Sequence, residues 1–159
     1  MMHIISRRSV IALLGAAVAV FLTSGGMRPA HAQDVGVTLL PQDIQFKAPF
    51  VGYPGVANIF GDPTKAGLFV QQVKFPSGFK LMPHWHPEDV RTVVILSGTL
   101  YYATGEKWDD SKLKPFPAGT FFSEPLKVPH YAWAKDGEVI LQLTAVGPTG
   151  TTMLEPAKK

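Results

Sequence analysis

The chain has 159 residues and no cysteine. That length suits one domain behind a leader, and the missing thiols exclude disulfides, cysteine nucleophiles and thiolate ligands, so a transition metal has to be held by imidazole, carboxylate or water. The formal charge of +3 belongs to the first 32 residues, whose charges are Arg7, Arg8 and Arg28; the remainder balances 12 acidic residues with as many basic ones, which excludes a nucleic-acid surface.

Residues 1–32 read as a targeting segment. Arg7 and Arg8 form a basic start, and residues 10–22 are an apolar or small-residue run too short for a comfortable membrane span. Ala30-His31-Ala32 has the small-x-small form of a cleavage site. The expectation is a periplasmic or secreted protein, cut after Ala32, with no stable membrane insertion after cleavage. Ser6-Arg7-Arg8 is compatible with twin-arginine export of a folded protein and equally with an ordinary secretory signal.

From residue 33 onward, glycine and proline recur at short intervals, apolar β-formers fill the gaps, and long helical periodicity is missing. The pattern predicts an all-β sandwich or barrel. Residues 33–64 read as an extended arm broken at Pro41, Pro49 and Pro54, and Gly61-Asp62-Pro63 as a turn. Strands are expected at 68–75, 80–86, 91–96 and 99–103. Residues 105–114 form a polar loop with at most one helical turn. Short strands follow at 119–123 and 130–134, and a long one at 138–146. The barrel spans 65–150, and 151–159 is a tail.

Outside the leader the chain carries three histidines, His84, His86 and His130. In an extended strand residues i and i+2 share a face, so both imidazoles of Pro83-His84-Trp85-His86-Pro87 reach toward one point. By the same alternation Trp85, Tyr131 and Trp133 face away into packing layers, whereas Met82 shares the face of His84 and is expected in the pocket wall. Tyr101, Tyr102, Phe121 and Phe122 are each more at home in the core than in a pocket.

The spacing around these histidines resembles the cupin superfamily of jelly-roll β-barrels. Gly78 is followed by five residues, His84-x-His86, four residues, Arg91, six residues and Gly98. Gly119 is followed by five residues, Pro125-x-Lys127, two residues, His130, three residues and Ala134. Both frames fit the family's two motifs, with Arg91 at its glutamate, Lys127 at a glycine and Ala134 at its asparagine. Val73-Lys74-Phe75-Pro76-Ser77-Gly78, Leu96-Ser97-Gly98-Thr99-Leu100 and Gly147-Pro148 look like small exported single-domain bacterial cupins.

The resemblance implies a jelly-roll barrel, a homodimer in which the N-terminal arm pairs with a neighbouring barrel, and one divalent transition metal on His84, His86 and His130. Three neutral imidazoles leave coordination positions open. Fe(II) is favoured, and Mn, Co, Ni, Cu or Zn also suit such a site. Three-histidine sites resemble thiol and diketone dioxygenases, in which substrate chelates the metal before oxygen reacts. The leading expectation is therefore a dioxygenase acting on a small-molecule ligand. The rivals are a periplasmic protein that binds metal or ligand without turnover, and a non-redox isomerase or lyase.

Arg91 faces the interior in this frame, and a fixed cation beside a dication needs an anion. One reading has Arg91 clamping an anionic substrate through paired hydrogen bonds. The other pairs it with Glu88, Asp89 or Glu124.

Overall fold

The computed structural model describes residues 36–49 and 51–154. The expected leader and its cleavage site lie outside the described residues. The chain divides after Gly36, and all strands belong to the second unit, Val37–Lys159.

Among the described residues, ten strands form two antiparallel five-stranded sheets. They are β1 (Gly55–Phe60), β2 (Gly67–Phe75), β3 (Lys80–Trp85), β4 (Arg91–Ser97), β5 (Thr99–Thr104), β6 (Lys114–Pro117), β7 (Phe121–Ser123), β8 (His130–Trp133), β9 (Val139–Gly147) and β10 (Thr152–Met153). One sheet has the order β1-β2-β9-β4-β7 and the other β10-β3-β8-β5-β6. A single 3-10 turn, Asp110–Lys112, interrupts the polar loop.

The period-2 alternation of the sequence becomes two inner faces. Strand β9 buries Val139, Leu141, Leu143 and Ala145. Cross-strand pairing sets Val73 and Ile95 on either side of Leu141, and Gln71 and Val93 on either side of Leu143. From the facing sheet, Leu100, Tyr102 and Ala132 complete the core. Burial of such apolar rows is the main force holding the sheets together, at about 25 cal/mol per Å².

Three features differ from the sequence expectation. Strand β1 lies inside the expected arm and pairs with β2 from Gly55 to Phe60, so the sheet begins before residue 65. Thr152 and Met153, expected as tail, pair with Trp85 and His84. Strand β6 contains two prolines, and it is tolerated at the edge of its sheet, where a missing N–H costs no ladder bond.

Candidate metal centre

His84 and His130 are paired directly across β3 and β8. His86 follows at the end of β3, and all three side chains are buried. Their ring centroids are 5.0 Å (His84–His86), 4.3 Å (His84–His130) and 5.2 Å (His86–His130) apart. One nitrogen from each ring lies within 4.8 Å of those of the other two.

The opposite nitrogens explain why the rings point inward. Nδ1 of His84 lies 2.7 Å from the carbonyl of Met82, Nδ1 of His130 lies 3.0 Å from that of Val128, and Nδ1 of His86 lies 2.7 Å from that of Gly150. A carbonyl only accepts, so each Nδ1 carries the proton and donates, leaving the Nε2 lone pair free. Backbone or carboxylate acceptors hold the second nitrogen of most metal-bound histidines in this way. Burial, then the neighbouring His130, lowers the pKa of His84 to about 4. Burial, then Arg91, lowers that of His86 to about 3. Both rings are therefore neutral donors at neutral pH. Nε2 of His130 is buried and has no hydrogen-bond partner. A buried orphan lone pair beside two other neutral imidazoles fits a divalent transition metal, and these three residues would hold it.

Arg91 faces the interior from the start of β4, one alternation from Val93. Its Nε donates to Oε2 of Glu124 at 2.5 Å and its Nη1 to Oε1 of Glu88 at 3.3 Å. The pairing alternative is the arrangement found, with both acids rather than Asp89. These bonds use one N–H on Nε and one on Nη1, and Arg91 also lines the cavity. The side chain of Glu88 is 0% exposed. It also accepts from the Thr149 hydroxyl.

Glu124 was visible in the sequence only as one of three candidate partners for Arg91. In the structure its Oε1 lies 3.4 Å from Nε2 of His130 and its Oε2 lies 3.8 Å from Nε2 of His86. Burial by itself would raise its pKa, but Arg91, His130 and His86 outweigh that and hold it below the usual carboxylate value. The signal that pointed to it was the interior arginine, because a buried cation requires a buried anion.

Met82 is the correction among the expected site residues. It is 45% exposed and absent from the cavity wall. The β3–β8 register shifts between Leu81 and His84, so it is Leu81, three residues before His84, that lines the cavity. This irregularity breaks the i, i+2 rule at that point. Met82 contributes its carbonyl to His84 instead.

The cavity holds about 290 Å³ and opens onto all three histidines, Arg91 and Glu124. Its other walls are mainly apolar and include Val73, Phe75, Leu141 and Leu143. Tyr102 lines it too, with its ring 5.5 Å from that of His130. The packing reading holds for Tyr131 and Phe122 and fails for Phe121. Tyr131 is fully buried against Trp108, at 5.0 Å, and donates its hydroxyl to the carbonyl of Asp109. Phe122 packs on Tyr102, and Phe121 is exposed. Lys127 lies at a left-handed φ of 55°, the conformation glycine would supply in that motif.

No protein-family model and no curated protein matches this sequence. Solved structures are similar in fold. An RmlC-like cupin from Shewanella frigidimarina NCIMB 400 has a TM-score of 0.53 at 18% identity, over 68% of this chain and 87% of that one. The polyketide cyclase RemF from Streptomyces resistomycificus has a TM-score of 0.63 at 11% identity, over 78% of this chain and 89% of that one. A protein with a cupin-like fold from Ralstonia eutropha JMP134 has a TM-score of 0.56 at 21% identity, over 74% of this chain and 70% of that one. Two antiparallel five-stranded sheets and these likenesses show that the chain has a cupin-like fold, with three histidines converging between the sheets.

Proposed function

We propose that the protein is a metal-dependent cupin enzyme of dioxygenase type, holding one divalent transition metal on His84, His86 and His130 and acting on a small organic molecule in the adjoining cavity. The observation that carries this reading is the set of three buried imidazoles with each Nδ1 fixed by a backbone carbonyl. A divalent ion there supplies Lewis acidity and, as Fe(II), a means of activating dioxygen.

The chain's own residues do the rest. Val73, Phe75, Leu141 and Leu143 exclude water and receive the apolar body of the substrate. The cavity, about 290 Å³, is at the small end for ligand pockets. With Arg91 Nε and Nη1 committed to Glu124 and Glu88, the main anchor for the polar end of the substrate in this reading is the metal site. The preferred substrate therefore has one chelating end and an apolar remainder. The reading includes export, supported by Arg7-Arg8, the apolar run at 10–22 and Ala30-His31-Ala32. It also includes a homodimer, supported by the cupin resemblance.

The test is anaerobic loading with Fe(II), then oxygen uptake with thiols, diketones and hydroxy-aromatic acids. Uptake in proportion to substrate consumed is expected for one class. Protein that carries a full complement of iron and consumes no oxygen with any class overturns the dioxygenase reading. Turnover by the zinc-loaded protein without oxygen would replace it with Lewis-acid chemistry.

A further inference from the structure

Arg91 occupies the position at which the cupin frame carries an acid, so β4 brings a cation to the metal site where an anionic ligand is expected. The adjacent strand restores the anion. Thr92 pairs with Ser123, and the next residue, Glu124, donates its N–H to the carbonyl of Arg91 at 2.9 Å. The ladder thus sets the two side chains next to each other, both facing inward.

The two oxygens of Glu124 have different surroundings. Oε2 is held by Arg91 Nε at 2.5 Å. Oε1 is not, and it lies 3.4 Å from the unpartnered Nε2 of His130. Adjacent ligands bound at about 2.1 Å to one ion lie roughly 3.0–3.5 Å apart, depending on octahedral or tetrahedral geometry. The separation of Oε1 from the His130 nitrogen is that of neighbouring ligands. The charges agree: Glu88, Arg91 and Glu124 together carry one net negative charge, so the arginine's repulsion of a dication is more than cancelled.

Resting on the three-histidine reading above, we propose that Glu124 is the fourth protein ligand. It gives Oε1 to the metal while Arg91 holds Oε2. Relative to the cupin frame, the acidic ligand has moved from β4 to the end of β7, and the position it left holds the arginine that orients it. Arg91 is then a positioning residue, and Glu88 sets its guanidinium from the other side.

The experiment compares the full chain with Glu124→Gln and with the double variant R91M/E124Q. It measures metal affinity by chelator competition and the visible absorption of the Co(II) form. In E124Q we expect affinity to fall at least about tenfold, with a shifted Co(II) spectrum. The double variant loses one charge of each sign and keeps the net charge of the site. If Glu124 ligates, the double variant stays as weak as E124Q. If Glu124 only neutralises Arg91, the double variant recovers the affinity and spectrum of the unaltered chain, and the proposal falls. The same comparison decides the matter if E124Q alone unfolds around an unpaired arginine. An unaltered chain that binds one ion, with E124Q identical to it, overturns this inference and leaves the three-histidine site standing. An unaltered chain that binds no ion overturns both.

Discussion

The lone pairs of His84, His86 and His130 face one point because three carbonyls occupy the other side of the rings. Replacing any one of the three by alanine removes a ligand, so metal affinity is expected to fall about a hundredfold or more. Metal analysis after dialysis against a weak chelator checks this. The same burial makes the metal-free protein sensitive to acid. Folded-state pKa values of about 4 for His84 and about 3 for His86 lie below the ordinary 6.5. Between those limits the unfolded chain takes up protons that the folded one refuses. Stability from these two residues is therefore complete above about pH 6.5 and is lost as the pH falls toward 3. Urea midpoints of the metal-free protein at pH 7.5, 5.5 and 4.5 should fall in that order, and a flat series would contradict the burial of neutral rings. The pair His84 and His86 was legible from i, i+2 spacing, and His130 joined it through the resemblance to the cupin motifs. Glu124 was only half legible. The need for an anion could be read from Arg91, but choosing among Glu88, Asp89 and Glu124 depends on which strand lies beside β4.

Strands β2, β4, β5 and β9 were readable from apolar alternation between glycine and proline turns, since one inner and one outer face impose a period of two. The bulge in β3, the edge strand β6 and the short β10 were not, because each depends on a partner strand remote in sequence. The turn between β4 and β5 shows how closely these elements approach. Gly98 has φ +76°, and a Cβ there would lie 2.4 Å from the carbonyl oxygen of Glu138. Gly98→Ala is expected to cost about 2–4 kcal/mol, combining left-handed strain with a backbone clash, and thermal denaturation will report it. Lys127 presents the opposite case. Its φ of 55° carries a steric cost that glycine would not, and its ammonium lies 5.7 Å from the Trp85 ring, a weak compensation. Lys127→Gly should leave metal affinity unchanged and raise the melting temperature by a few degrees, equivalent to about 1 kcal/mol.

At the scale of the molecule, the site lies between two sheets whose inner faces are otherwise apolar. In the polar cluster there, His130 Nε2 is buried without a hydrogen-bond partner, and an ion held by the three histidines would satisfy it. Metal binding should therefore act on the whole barrel. An ion present at about a thousand times its Kd adds about 4 kcal/mol to folding, so the melting temperature should rise by about 10 °C or more over protein in chelator. Scanning calorimetry in the two conditions measures it, and coincident transitions would mean that the folded state binds no ion. Among the described residues no helix is long and apolar enough to cross a membrane.

Two of the three imidazoles are oriented by carbonyls only two residues upstream of themselves, at Met82 and Val128. The third, His86, takes its acceptor from Gly150, which lies 64 residues further along. His84 and His130 therefore find their acceptors within their own short segments, but His86 needs the segment beyond β9 to dock. Tight ion capture then requires that docking. A shortened polypeptide ending before Gly150 would keep the acceptors of two rings and lose that of the third, which should loosen the chelate.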